Sequence, residues 1–300
     1  MRLFANLPFG GGLYKASQKR FGRLRAEPME RLPAQAEMVK WLLGQEFSLT
    51  GANCLEVGTG HIPLVPIGFF LCGAAKTITI DTHRRLDLGL TRGCLAWIAQ
   101  HREEVEILYD GLIAAELLDQ RLSLLVKWKD QPERFLKEAG IQYLSPADAA
   151  NTGLAASSID CHISTTVLEH ISEPGLRSIF TEARRLLAHD GKAIHFIDLS
   201  DHFQHQDKSI TQINFLRFSE REWNRIAGNE FAYCNRLRAS NYMKLFKSLG
   251  FVVERVEELV DQPSLDSLRS DFLVDPQFND YENEDLSVTT LKIMLHAGES

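Results

Sequence analysis

Three hundred residues suffice for one large domain, or for a core domain with an elaboration, and 44% hydrophobic with 24% charged residues is ordinary for a globular chain. A formal charge of -7 excludes a broad, non-specific grip on nucleic acid, which needs many phosphate-neutralising cations. The five cysteines (54, 72, 94, 161 and 234) are scattered and never spaced as Cys-x-x-Cys, which excludes a disulfide framework and an obvious zinc site and fits a reducing, cytoplasmic setting.

In chain order, the first 26 residues hold six basic side chains and no acid. They read as a solvated basic start to an N-terminal helix, with a targeting peptide as the lesser reading. Pro33 to Glu46 follows as a helix, with Met38, Trp41 and Leu42 at i, i+3, i+4 spacing. Asn53 to Val57 is a short apolar run closed by glycines, a buried strand that feeds a helix over Ile62 to Cys72. The apolar run from Ile62 to Ala75 contains Pro63 and Pro66 and is too short to cross a bilayer, so no membrane span is expected. Thr77 to Ile80 is a β-branched strand ending at Asp81. Leu86 to Gln100 has helical spacing, and Glu103 to Lys137 adds one or two helices.

Ile141 to Leu144 reads as a strand opening into a loop with Asp148, and Ile159 to Ser164 as another, followed by the turn Val167 to Ile171. Gly175 to His189 carries one apolar stripe, and Asp190-Gly191 supplies a helix stop. Lys192 to Ile197 is a fifth strand. Alternation of this kind implies a parallel sheet covered by helices on both faces. The tail differs: Phe251 to Val260 and Ser287 to His296 read as strands without an evident crossover helix, which suits an antiparallel pair. The expected architecture is therefore α/β, with seven strands, mostly parallel, and an antiparallel C-terminal strand. Residues 1–50 form an N-terminal helical segment and 51–300 the main domain, with a helical insertion at 101–140 and a lid at 203–245.

In a doubly wound sheet, ligands sit beyond the carboxyl ends of the strands where the connection direction reverses. Gly58 and Gly60 fall just after the first strand, where backbone amides can approach a ligand. Asp81, at the end of the second strand, can accept hydrogen bonds from ribose hydroxyls. A dinucleotide fingerprint would carry a third glycine, and here position 63 is Pro. A pyrophosphate wants that close approach; a nucleoside without phosphates does not.

Leu55-Glu-Val-Gly-Thr-Gly60, Ile80-Asp81, the Asp148 loop and Asp160-Cys-His-Ile-Ser-Thr-Thr-Val-Leu-Glu-His-Ile171 resemble the ordered motifs of class I S-adenosylmethionine-dependent methyltransferases. The branch most similar is the small-molecule one, related to the type 11 and ubiquinone-pathway enzymes. The resemblance covers roughly residues 50–200 and the terminal strands. It implies a Rossmann-like sheet and S-adenosylmethionine as cofactor, released as S-adenosylhomocysteine. Carried over by position, Glu56, Gly58, Thr59 and Gly60 sit by the methionine end, Asp81 and Thr82 by the ribose and Ala147-Asp148 by the adenine. Thr165 and Thr166 border the sulfonium. Asp148 reads equally well as a helix N-cap, and Glu169 and His170 as residues closing a strand-to-helix turn.

Methyl transfer is an in-line displacement, and a hydroxyl acceptor must lose its proton, typically to His, Asp or Glu. Asp198, Asp201, His202 and His205 crowd the segment leaving the fifth strand. His202 is the preferred base, with Asp201 or Asp198 orienting it. A metal reading of this cluster, as in catechol-type methylation, is the lesser one, and no metal is expected. His205, Tyr233, Asn235, Arg236 and Arg238 are candidate contacts to an anionic or polyhydroxylated small-molecule acceptor, although the blander reading leaves the arginines solvated and makes Phe215, Phe218 and Trp223 helix-packing residues. The leading expectation is a small-molecule O-methyltransferase acting on a sugar-containing or other secondary metabolite. The rivals are a catalytically silent partner protein on the same fold and an NAD-dependent oxidoreductase. Oligomeric state is left open, a homodimer being admissible.

Overall fold

The computed structural model describes residues 28–29, 31–229 and 232–298, so the basic arm lies outside the described residues. From the N-terminal side, α1 (Leu32–Leu43) leads to β1 (Asn53–Val57), α2 (Leu64–Leu71) and β2 (Lys76–Ile80). Four helices follow: α3 (Leu88–Gln100), α4 (Arg102–Tyr109), α5 (Ala115–Trp128) and α6 (Pro132–Glu138). Then come β3 (Ile141–Leu144), β4 (Ile159–Thr165), a 3-10 turn at Leu168–His170, α7 (Glu173–Leu186) and β5 (Leu187–Asp198). The last third holds α8 (Glu220–Ala227), α9 (Ala239–Ser248), β6 (Phe251–Val260), α10 (Gln262–Ser270), α11 (Asn283–Leu286) and β7 (Val288–Ala297).

The strands form one sheet in the order β3-β2-β1-β4-β5-β7-β6. The first five pair in parallel, and β7 runs antiparallel to both β5 and β6. Both faces are covered, which is why β1 and β2 bury four of their five residues instead of alternating with solvent. One face packs α1 to α6 against Cys54, Ile163 and Phe196. The other packs α7 and α9 against Leu55, Ile80, Ala193 and Leu291. The α1 helix belongs to the first of these cores through Leu32, Met38 and Trp41, so its described part is an integral layer of the domain.

Several boundaries differ from the expected ones for identifiable reasons. Ser172 accepts a hydrogen bond from the Gly175 amide, so α7 begins earlier than Gly175. It ends at Leu186, and residues 187–191, expected as its last turn and stop, open β5 through a register shift against β4. The stretch after α3 makes three helices, because Gly111 at φ +70° and Pro132 at the start of α6 interrupt it.

The lid is also divided differently. Its last helix, α9, packs Tyr242, Leu245 and Phe246 into the sheet's own core. The remainder forms a satellite cluster in which Phe215, Leu216 and Trp223 meet Phe278 and Leu286 from the connection between β6 and β7. That connection, expected to lack an evident crossover helix, carries the short helices α10 and α11 and contributes Phe278 and Leu286 to the buried part of the satellite.

Candidate active site

The connection direction reverses between β1 and β4, so the loops leaving those strands part and open a crevice. Gly58 sits on the β1 side with φ +86°, and its amide donates to the Ile80 carbonyl at 2.8 Å. A Cβ there would meet Val167 Cγ2, on the β4 side, at 2.4 Å. Glycine is thus required twice over, by backbone conformation and by the close approach of the two loops.

Register places Glu56 opposite Thr79 on neighbouring strands. The Thr79 hydroxyl donates to the Glu56 carboxylate and also meets the Thr59 hydroxyl. Burial pushes the Glu56 carboxyl up to about 8, against the pull of the Thr79 hydrogen bond and reinforced by the charge on Asp81. Asp81 itself is raised to about 6 by burial, although Tyr143, Arg85 and the Gly60 amide favour its charged form. A pair of carboxylates held above their ordinary range beside a glycine loop suits a ligand that brings hydrogen-bond donors and positive charge.

Tyr143, at the end of β3, was not anticipated. Its hydroxyl donates to Asp81 Oδ2 at 3.3 Å and accepts from the Arg85 amide at 3.0 Å, fixing the loop after β2. Nothing local in the sequence marks it, because its partners lie 58 and 62 residues away. Thr82 is exposed and faces His83 Nδ1 at 3.1 Å. The Ala147 amide donates to the Asp81 carbonyl at 3.0 Å, which brings the β3 loop onto the β2 loop. Asp148 is exposed, and its Oδ1 accepts from the Ala150 amide in a local turn. Thr165 ends β4, and Thr166 stands at φ +51° with its amide on the Phe196 carbonyl.

A second group gathers at the ends of β4 and β5. Asp198 turns one oxygen to the Ser200 amide and hydroxyl, at 2.9 and 2.6 Å, and the other to His202 Nε2 at 3.3 Å. Burial would raise this carboxyl, but the contacts with His202 and Ser200 outweigh it and hold it below its usual range. His205 Nε2 lies 3.3 Å from Ser200 Oγ and 3.9 Å from Asp198 Oδ2. Burial lowers the His205 imidazole, with Asp198 opposing. Of the two proposed orienters, only Asp198 touches His202. Asp201 is fully buried and braces its own loop, accepting from the Phe203 amide at 2.9 Å. The ring of His170 stands 5.0 Å from that of His202.

The candidate acceptor contacts beyond β5 turn inward. Asn235 donates to the Leu168 and Ile171 carbonyls at 2.9 and 2.8 Å, stapling the turn after β4. Arg236 is 3% exposed, bonds the Phe215 carbonyl at 3.0 Å, pairs with Glu220 and lies over the rings of Trp223 and Phe278. Arg238 is fully buried; it donates to the carbonyls of Leu199, Val288 and Leu286 and lies over Phe215. These guanidinium groups serve the chain's own carbonyls, so the expectation that they grip an anionic acceptor gives way to a supporting role. Tyr233 is half-buried, and its carbonyl receives the Nδ1–H of His170.

A family model described as a methyltransferase domain matches residues 118–195, from within α5 through β3 and β4 into β5. Residues 118–195 are thus similar to a methyltransferase domain. The strand order, with the reversed seventh strand between the fifth and sixth, is Rossmann-like and mostly parallel. The glycine loop at 58–60 lies ahead of the matched segment. No curated protein matches the chain.

Among solved structures, the domain is similar to a putative S-adenosylmethionine-dependent methyltransferase from Listeria monocytogenes, at 14% identity and a TM-score of 0.48, over 89% of this chain and 98% of that one. A geranyl diphosphate C-methyltransferase from Streptomyces coelicolor is 11% identical with a TM-score of 0.47, over 88% and 78% of the two chains. Magnesium protoporphyrin IX methyltransferase from Synechocystis is 12% identical with a TM-score of 0.45, over 88% and 81%.

Proposed function

We propose that the chain transfers a methyl group from S-adenosylmethionine to an oxygen of a small-molecule acceptor, a sugar-containing metabolite being the first candidate. The observation that carries this reading is the junction at Val167. That side chain packs on Gly58 of the cofactor loop and begins the turn that ends in His170, beside His202 and Asp198. Donor loop and proton-accepting group therefore share one crevice.

Glu56, Thr59 and the Gly58–Gly60 backbone would hold the methionine end of the cofactor, Asp81 the ribose hydroxyls, and Ala147-Asp148 the adenine. The cofactor supplies an electrophilic methyl group on a sulfonium. The chain's part is to align the acceptor, exclude water and take one proton as the new bond forms. His202 would take that proton, and the lowered Asp198 carboxylate 3.3 Å away, which supports this reading, would stabilise the resulting imidazolium. The five cysteines are all buried and unpaired, which fits action in a reducing cytoplasm. No helix among the described residues is long and apolar enough to cross a membrane.

Calorimetric titration with S-adenosylmethionine, S-adenosylhomocysteine and NAD tests the reading. Binding of both sulfur nucleosides and not NAD is expected. Binding of NAD alone would overturn the reading in favour of a dehydrogenase. Binding of the sulfur nucleosides by a chain that turns over no acceptor in a broad small-molecule screen would favour the silent-partner alternative.

A further inference from the structure

The turn after β4 presents a feature that methyl transfer does not require. Glu169 is 1% exposed, and neither carboxylate oxygen has a hydrogen-bond partner. Leaving such a group buried and unmatched is costly unless something compensates it. Its Oε1 lies 4.0 Å from His170 Nε2. A nitrogen of His202 completes a trio whose ligand atoms all lie within 4.8 Å of one another.

From these contacts we infer that Glu169, His170 and His202 form a site for one divalent transition-metal ion. The ligand set is two imidazoles and one carboxylate, which suits zinc, manganese or iron(II) and leaves coordination positions open. The His170 ring is already oriented for this role. Its Nδ1–H donates to the Tyr233 carbonyl at 2.7 Å, and because a carbonyl only accepts, Nε2, 4.0 Å from Glu169 Oε1, is left with its lone pair. Asn235 holds the same turn from behind through the Leu168 and Ile171 carbonyls. Ligands on a common ion with bonds of about 2.1 Å stand roughly 3 Å apart, so side-chain rotations would have to draw the atoms of the trio together by up to about 2 Å. Asp198 adds a second carboxylate beside His202.

The role of the ion rests on the methyl-transfer reading and, where the ion is bound, passes the proton-accepting part from His202 to His205. Open positions would be filled by two oxygens of a chelating acceptor, such as a vicinal diol or a hydroxy acid. With the ion bound, His202 is a ligand. The acceptor hydroxyl then loses its proton to the adjoining His205, while its oxygen bonds the methyl carbon and the carbon–sulfur bond breaks with its electron pair left on sulfur.

The test is a titration of the chelator-stripped full chain with Mn2+, Zn2+ and Co2+, read by calorimetry and, for Co2+, by its visible absorption. One ion per chain is expected. Glu169→Gln and His170→Ala should each weaken binding by at least about 10- to 100-fold. Absence of binding at millimolar metal, or equal affinity in wild type and both variants, would overturn the site. His170 is exposed, so His170→Ala decides the matter if Glu169→Gln fails to fold. S-adenosylhomocysteine binding is measured on the same metal-free samples: its loss would count against the methyl-transfer reading, whereas loss of metal binding alone counts only against the site.

Discussion

The two halves of the crevice use carboxylates in opposite ways. On the β1–β2 side, Glu56 and Asp81 are pushed up to about 8 and about 6, mainly by burial, and hydroxyls and amides are among their neighbours. On the β4–β5 side, Asp198 is also largely enclosed, yet two contacts with His202 and Ser200 hold it below its ordinary range. The difference teaches that burial alone does not set a carboxylate's role. The first pair awaits donors and positive charge from a ligand, whereas the second already has its proton-accepting partner within the chain.

This contrast can be broken at either end. Asp198→Asn should have the largest effect, lowering turnover by about 10²-fold or more by withdrawing the charge that stabilises a protonated His202. Cofactor affinity should stay within about threefold, since Asp198 serves the other half of the crevice. A parallel loss of cofactor affinity, measured by S-adenosylhomocysteine titration, would show that the halves are not separable. Gly58→Ala should do the reverse. The new Cβ meets Val167 at 2.4 Å in a backbone conformation that L side chains disfavour by about 1–2 kcal/mol, so cofactor affinity should fall about 10- to 100-fold. Turnover at saturating cofactor should largely survive.

The smallest effect sharpens the comparison through pH. Glu56 titrates near 4.5 unfolded and at about 8 in the cofactor-free fold, so between those values the folded chain holds more protons than the unfolded one. Stability from this group is therefore greatest below about 4.5 and declines as pH rises toward 8. Asp81 adds a similar decline between 3.8 and about 6. Glu56→Gln should flatten the fall in Tm between pH 6 and 8 by a few degrees, leaving the lower part, where Asp81 acts, in place. An unchanged slope in thermal melts across that range would mean that Glu56 is not held protonated.

Much of the first half was legible from residues close in sequence. Gly58 and Gly60 follow a buried strand directly, and Asp81 ends the next one, so strand and turn chemistry place them without any knowledge of packing. The second half was legible only as composition: Asp198, Asp201, His202 and His205 stood out as titratable groups, but which of them meet was not. Asp201 turned into its own loop because its amide and carboxylate bond Gln212 and Phe203.

The arginines show the same limit. Arg236 and Arg238 look like anion ligands in a string of residues, yet their carbonyl partners are as far away as Val288, 50 residues along the chain. Glu169 and His170 read as turn residues until Tyr233, 63 residues downstream, fixed one imidazole and His202 approached it. By itself the sequence determined the alternation of strands and helices, the glycine loop after β1 and the antiparallel pairing of the final strands, because periodicity and glycine placement are local properties. Tertiary structure alone decided which carboxylate serves His202, which guanidinium groups are buried in the support, and that a carboxylate and two imidazoles converge. Those outcomes depend on long-range packing of insertions onto the sheet edge, and no local pattern encodes that.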